Sequence, residues 1–380
     1  MHYYIYILFF VLMMALVVGY LYWKSGRMIA FYHGNPTKGK LRLIRIGCSL
    51  LVAFFSCNMW TTMSIVLLHL IVLFGVMDVL SIPVRLLLEK KKEKKGYRFL
   101  RWFYYSGIIP VALFLVIMVY GFNQMEHIQR TEYHVSTIKQ IRDYRIALLS
   151  DIHYGTVQSA DVLKKAIDDI DAQNPDIVVL DGDIVEEGTS KEEMEEVFAL
   201  LGSINNKYGI YYVYGNHDRQ TYTKEPSYTR QQLENTIQKN GIQILKDCYV
   251  RIQDDLILAG RDDAAWGENA VRKETADILS DLTEEDKEKK MIVLLDHQPV
   301  QMEENGSAGV DLQLSGHTHA GQLWPVGIFL EAMGQKNYGM YHCGVCRGIV
   351  SSGVAGWRYG IRTNGPCEYV MVDLICQGRK

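Results

Sequence analysis

The stretch Arg145-Ile146-Ala147-Leu148-Leu149-Ser150-Asp151-Ile152-His153 sets an apolar run of strand length directly before an aspartate and a histidine two positions apart. The same arrangement returns down the chain. Ile177 to Leu180 runs into Asp181-Gly182-Asp183, Tyr211 to Tyr214 into Gly215-Asn216-His217-Asp218, and Ile292 to Leu295 into Asp296-His297. A fifth run, the alternating Val310-Asp311-Leu312-Gln313-Leu314, leads into Ser315-Gly316-His317-Thr318-His319-Ala320-Gly321-Gln322. Between the runs, Val162 to Ile170, Met194 to Leu201 and Leu233 to Ile237 carry apolar residues at three-to-four spacing, as helices with one buried face do. Strands alternating with helices predict an α/β domain with a largely parallel core. Ligand sites in such domains form beyond the carboxyl ends of the strands, so the five polar clusters can converge.

His317 and His319 sharpen that expectation. In extended chain, side chains at i and i+2 project to the same side, so both imidazoles can aim at one place, and that place can hold a metal. Two neutral imidazoles alone would bind weakly, and the other clusters supply further donors. Of the 11 histidines, five fall in these clusters. A single Asp-x-His is common by chance, and a lone histidine is more often a hydrogen-bonded surface or core residue than a ligand. Five clusters in order after five strands are not common.

The 380 residues, 48% of them hydrophobic, allow two or three domains. The net charge of −3 conceals a split. Residues 1–122 hold 14 Lys/Arg against 3 acids, and the remaining chain holds 26 against 40. The basic part reads as membrane. Its apolar stretches at 3–23, 41–58, 60–83 and 102–122 each approach the ~20 residues of a bilayer-spanning helix. Aromatic residues near their ends, Trp23, Trp60, Trp102 and Tyr120 among them, suit the headgroup zone. A cleaved signal peptide fits the first stretch poorly, because no basic segment precedes it and no small-x-small site follows. Lys24, Arg27, Lys38, Lys40 and Arg42 lie between the first and second stretches, and Arg85, Lys90, Lys91, Lys92, Lys94, Lys95, Arg98 and Arg101 between the third and fourth. Both loops are therefore expected in the cytoplasm, which puts everything after Phe122 on the outer face of the cell membrane. A re-entrant hairpin at Asn58 would reverse the count. The lysine run reads as a plain stop-transfer signal.

The ordered motifs DxH, GD, GNHD, a lone H and GHxH, spread over roughly Leu148 to Leu374, resemble the calcineurin-like metallophosphoesterase family. More narrowly the chain is similar to bacterial membrane-anchored members, in which GNHD, a GRDD-like stretch (here Gly260-Arg261-Asp262-Asp263) and GHTHxGQ occur together. The resemblance implies a two-sheet sandwich flanked by helices, residues 123–380, following a membrane domain of four helices, residues 1–122. It also implies a dinuclear centre of divalent ions. Carried over position by position, Asp151, His153 and His319 would hold one metal, Asn216, His297 and His317 the other, and Asp183 would bridge them. His217 would donate a proton or stabilise the oxyanion, with Asp218 orienting it. The mixed His/Asp/Asn set leaves Mn, Fe and Zn open. Two such cations lower the pKa of bound water and neutralise phosphoryl oxygens, so a metal-activated hydroxide would attack a phosphate mono- or diester.

Two function classes follow. One is a phosphoesterase; the other is a membrane receptor or scaffold that keeps the metal-binding fold without catalysis. The scaffold has no need of His217, and no ligand position is broken. A nuclease calls for a basic groove interleaved with aromatics, and the acidic outer part argues against nucleic acid as a partner. Only about 28 residues separate Phe122 from Asp151, which keeps the site near the headgroups. That points to lipid-linked phosphate esters, with soluble phosphates as the alternative. Arg358 and Arg362 can clamp a substrate phosphate or form surface ion pairs. Cys343 and Cys346 read as a disulfide or as free thiols, since a single CxxC lacks the second pair of a structural zinc site.

Overall fold

A computed structural model describes residues 2–34, 39–59, 61–88, 95–263 and 272–377. The chain divides into two compact units, Met1–Tyr120 and Gly121–Lys380.

In the second unit two six-stranded sheets are formed. The first runs in the order β1 (Ile128–Thr137), β12 (Cys367–Cys376), β2 (Tyr144–Leu149), β3 (Ile177–Asp181), β4 (Ile210–Val213), β5 (Ile242–Ile244). The second runs β10 (Gly339–Cys343), β11 (Cys346–Val350), β9 (Leu312–Ser315), β8 (Met291–Leu295), β7 (Leu256–Gly260), β6 (Cys248–Ile252). Strands β2 to β5 are mutually parallel, as are β7, β8, β9 and β11. Strand β12 is antiparallel to β2 and parallel to β1.

Alternation along the strands divides the apolar runs between separate cores. Ile146 and Leu148 of β2, with Ile177 and Val179 of β3, meet Leu258, Val293 and Leu314 between the sheets. The intervening Ala147, Leu149, Val178 and Leu180 face helices instead, packing on Leu163, Val197 and Phe198. On the far side of the second sheet, Ile257, Ala259, Ile292 and Leu294 pack against Ile278, Leu279 and Leu282. Central strands buried on both faces must be continuously apolar, which is why they read as runs rather than as alternating strands.

The first unit is helical: α1 (His2–His33), α2 (Gly39–Cys57), α3 (Thr62–Leu88) and α4 (Lys95–Ser106), with α5 (Ile108–Glu126) beginning in it. Three segments, Ile7–His33, Thr62–Leu87 and Ile108–Glu126, are long and apolar enough to cross a membrane. The four-span expectation is corrected on two counts. Its second stretch is the helix α2, but Lys40, Arg42 and Arg45 occupy its first two turns. What remains, residues 46–57, covers about 18 Å at 1.5 Å per residue, short of the ~30 Å hydrocarbon core. Its fourth stretch is broken by Gly107, whose φ of 69° ends one helix, so the apolar segment starts at Ile108 rather than Trp102. Lys38, Trp60, Lys90, Lys91, Lys92 and Lys94 lie outside the described residues.

Close approach of strand ends explains one glycine in particular. Gly182, at φ 77°, follows β3, and a Cβ there would meet the Gly215 nitrogen at 2.5 Å and His297 Nδ1 at 2.7 Å. Gly241 has nearly the same φ, 74°, with nothing within 4 Å of the added carbon. Gly182→Ala is expected to lose about 2–4 kcal/mol of stability, from backbone strain plus overpacking, and Gly241→Ala about 1 kcal/mol, from strain alone. Denaturant unfolding of both variants checks the difference; equal losses would contradict the crowding at the strand ends.

Candidate metal centre

The turns after β2, β3, β4, β8 and β9 carry the five polar clusters, and the fold draws them to one place. Ligand atoms of Asp151, His153 and His319 lie within 4.8 Å of one another, as do those of Asp183, His297 and His317. His153 Nε2 is 3.3 Å from His319 Nε2, which is 3.4 Å from Asp151 Oδ1. Asp183 stands between the groups, with Oδ2 at 3.1 Å from His297 Nε2 and 4.0 Å from His153 Nε2. Both groups draw on the two sheets, since Asp151, His153 and Asp183 follow strands of the first and the other three histidines follow strands of the second.

The backbone here is not extended. Asp151, His153, Asp183, His317 and His319 all adopt positive φ, between 47° and 73°. Such conformations are uncommon for residues other than glycine and gather at functional sites. The extended reading of His317 and His319 therefore gives way to a left-handed turn, and the two imidazoles join different groups.

Outward hydrogen bonds set how the rings present themselves. His153 Nδ1 pairs with Glu186 Oε2 at 3.0 Å, His319 Nδ1 with the Ala355 carbonyl at 3.0 Å, and His297 Nδ1 with the Asp181 carbonyl at 2.7 Å. Each ring so held turns Nε2 toward the centre, the arrangement that fixes tautomer and direction in metal-binding histidines. Burial, joined by the charge of His297, pushes the His317 imidazole down to about 4. Burial and the neighbouring His153 hold His319 well below the usual histidine value. Both are thus neutral at pH 7, the form that coordinates cations. Asn216 Oδ1 is buried with no hydrogen-bond partner among the described residues. An unpaired buried acceptor costs about 1–3 kcal/mol, and a cation would relieve it. The donor set of imidazoles, carboxylates and one amide oxygen fits divalent ions of the Mn, Fe and Zn type.

His217 lies beside the groups, its ring centroid 5.5 Å from that of His153. Its orienting partner differs from the expectation. Asp218 is fully buried and accepts main-chain N–H bonds from Asp183, Ile184, Val185 and Gly215, so it shapes the turn that carries Asp183. The imidazole is paired instead through Nδ1 with Glu187 Oε2, at 2.7 Å. Burial alone would lower the His217 pKa. The hydrogen bond to Glu187 and the charges of Asp183 and Glu186 outweigh it and push it up to about 9. Glu186 and Glu187 escape sequence reading because a carboxylate pair after GDIV looks like a solvated turn. Only their distance of three and four residues from Asp183 could have flagged them.

The two expected arginines separate. Arg358 lies at the surface, with its guanidinium 5.7 Å from the Trp357 ring, and Trp357 is itself 5.5 Å from His217. Arg362 is fully buried and donates to the carbonyls of Gly353, Pro366, His319 and Ser352. It holds the loop behind His319 and forms neither the phosphate clamp nor the surface ion pair expected of it. Asp296 joins the buried Arg261 of the GRDD stretch at 3.2 Å and Arg272 at 2.8 Å. All cysteines are free thiols, Cys343 and Cys346 facing each other across the β10–β11 hairpin.

Glu187→Gln removes the hydrogen-bonded charge that does most to raise His217, leaving Asp183 and Glu186 to act against burial. In the metal-free protein the His217 titration midpoint is expected to fall from its raised value by about 1–2 units. Imidazole NMR of histidine-labelled chain reads this directly. An unmoved midpoint would mean that Glu187 does not hold the proton on His217.

Residues 144–321 match the family model described as calcineurin-like phosphoesterase. An uncharacterized metallophosphoesterase of Campylobacter jejuni is 28% identical over 298 residues, covering 78% of this chain and 75% of that one. One of Helicobacter pylori is 29% identical over 236 residues, 62% of this chain and 60% of that one. A transmembrane protein with metallophosphoesterase domain from Danio rerio is 28% identical over 251 residues, 62% of this chain and 54% of that one. The motifs, the ligand groups and these matches agree: residues 144–321 are similar to the calcineurin-like phosphoesterases.

Proposed function

We propose that the protein is a membrane-anchored, dinuclear-metal phosphoesterase whose catalytic unit lies on the outer face of the membrane and acts on lipid-linked or cell-envelope phosphate esters. The observation that carries the reading is Asp183, whose one carboxylate stands within reach of both ligand groups. Asp151, His153 and His319 would hold one cation, Asn216, His297 and His317 the second, and Asp183 would serve both. Bound there, two divalent ions supply water activation and charge neutralisation at phosphorus.

The chain's own residues do the rest. Glu186 and the carbonyls of Ala355 and Asp181 keep three imidazoles turned inward. His217, protonated through Glu187, is poised to donate to the leaving oxygen. Beside it Tyr222 and Trp357, 47% and 38% exposed, form an aromatic rim at 5.2 and 5.5 Å from the imidazole. Half-exposed rings of this kind suit a substrate with an apolar portion, and their amphipathic character suits a membrane interface.

Orientation follows from the last apolar segment alone, whatever α2 does. Residues 85–101 ahead of it carry eight basic residues, and the twelve residues from Gly121 to Glu132 carry only Arg130. The positive-inside rule puts the basic side in the cytoplasm and the catalytic unit outside.

His217→Asn is expected to keep near-native metal content while turnover falls about 100- to 10,000-fold toward esters with poor leaving groups, and less toward an activated aryl phosphate. That asymmetry marks a general acid, since a good leaving group needs no proton. Loss of a metal, or an equal fall for both ester kinds, would overturn the assignment. Running the wild type with Mn on a phosphomonoester, a phosphodiester and a lipid phosphate in the same assay separates lipid-linked from soluble substrates.

Topology is tested separately. With native cysteines replaced, an impermeant thiol reagent should label a cysteine introduced by Gly188→Cys in intact cells and leave one introduced by Gly96→Cys unlabelled. Labelling at position 96 alone reverses the orientation.

A further inference from the structure

Four arginines of the helical unit surround one cavity that the metal centre does not use. Arg27 of α1, Arg85 of α3, and Arg98 and Arg101 of α4 line a space of about 830 Å³. Their charges have little to meet. Among the described residues of this unit Asp78 is the only acid. Its oxygens are already engaged by Lys24 at 2.7 Å, Tyr20 at 2.8 Å and the Tyr104 hydroxyl. Arg85 comes no closer to it than 4.0 Å, and Arg85 Nη2 is buried without a hydrogen-bond partner among the described residues. Arg27 donates to the neutral Tyr105 hydroxyl and lies 4.9 Å from the face of Trp23, and Arg101 lies 5.3 Å from the face of Phe31. Four guanidiniums around a cavity, with Asp78 as the one acid among the described residues of this unit, call for an anion. Guanidinium forks match phosphate geometry in particular.

A second, smaller cavity of about 200 Å³ adjoins the first and shares Ser81, Val84, Leu100 and Tyr104 with it. Its walls are mostly apolar, formed by Phe74, Met77, Leu80, Phe103, Ile109 and Pro110, with Lys24, held by Asp78, also lining it. A free phosphate ion would use the arginines and leave this compartment unfilled. A phospholipid fills both, phosphate among the arginines and the upper acyl chain along the apolar walls. Basic pockets between membrane helices on the cytoplasmic side are suited to anionic headgroups, and Arg85, Arg98 and Arg101 belong to the stretch 85–101 that the proposed orientation puts there.

We infer that this cationic cavity with its apolar annex is a binding site for an anionic phospholipid, separate from the phosphoesterase centre and independent of what that centre hydrolyses.

Native mass spectrometry of the full chain in detergent tests it, with phosphatidylglycerol and phosphatidylcholine of the same acyl chains as probes. The wild type should retain one phosphatidylglycerol per chain, about tenfold more tightly than phosphatidylcholine. The double variant Arg98→Gln/Arg101→Gln should bring the two lipids level while still hydrolysing a soluble ester, which shows that it is folded. Equal retention of both lipids by the wild type, or undiminished phosphatidylglycerol in the variant, would overturn the site. Displacement of the lipid by excess inorganic phosphate would assign the arginines to a free anion and likewise overturn it. If the variant loses the soluble activity, the wild-type comparison of the two lipids still decides.

Discussion

Two imidazole nitrogens facing each other at 3.3 Å, with Asp151 and Asp183 beside them, set the constraint on which the catalytic unit depends. Lone pairs and negative charges so crowded repel one another, and nothing apolar can hold them in place. The surrounding fold answers that repulsion with directed hydrogen bonds. Glu186, the Ala355 carbonyl and the Asp181 carbonyl each fix one ring, and the Asp218 carboxylate gathers four main-chain N–H groups under Asp183. Left-handed backbone at five of the donors is part of the same strain, sustained by the rigid strands that end just before them. A cation pair converts the repulsion into attraction, so the centre is preorganised for the ions and poorly satisfied without them.

How far the site was legible follows from this division. Donors placed at strand ends announce themselves, because five such clusters in order after five apolar runs are not common. Groups that act by orienting a donor do not. Glu187, paired with His217, and Glu186, paired with His153, sit in an acidic turn that resembles any solvated surface. Asp218 was assigned to its neighbour in sequence, yet its carboxylate turns to the backbone of another loop. Arg362 reads as a phosphate clamp or a surface ion pair, because a sequence shows its charge and not its surroundings. Here a loop of carbonyl groups closes around it. Sequence adjacency says little about which way a side chain turns once φ becomes positive.

The helical unit shows the converse. Apolar length was plain, while helix ends and charge placement were not: Gly107 breaks one stretch, and three basic residues enter the start of another. The buried Lys24–Asp78 pair was invisible for the same reason as Glu187, since 54 residues separate its partners. Within apolar surroundings such a pair is favourable only when well hydrogen-bonded. Tyr20 and Tyr104 supply the additional donors that Asp78 needs.

The place of β12 bears on how the protein is made. It lies between β1 and β2, pairing ten residues of β1 in parallel register and five of β2 in antiparallel register. Strand β1 begins two residues after α5 ends and so precedes the rest of the sheet, but it has no neighbour there until residues 367–376 arrive. During synthesis more than 200 residues must therefore emerge while β1 waits unpaired, an edge open to aggregation or to chaperones. The same insertion carries residues 351–362 against the loop behind His319, so the catalytic unit acquires its completed wall only at the last step of folding. An unfinished chain thus lacks the contacts that Ala355 and Arg362 make with His319.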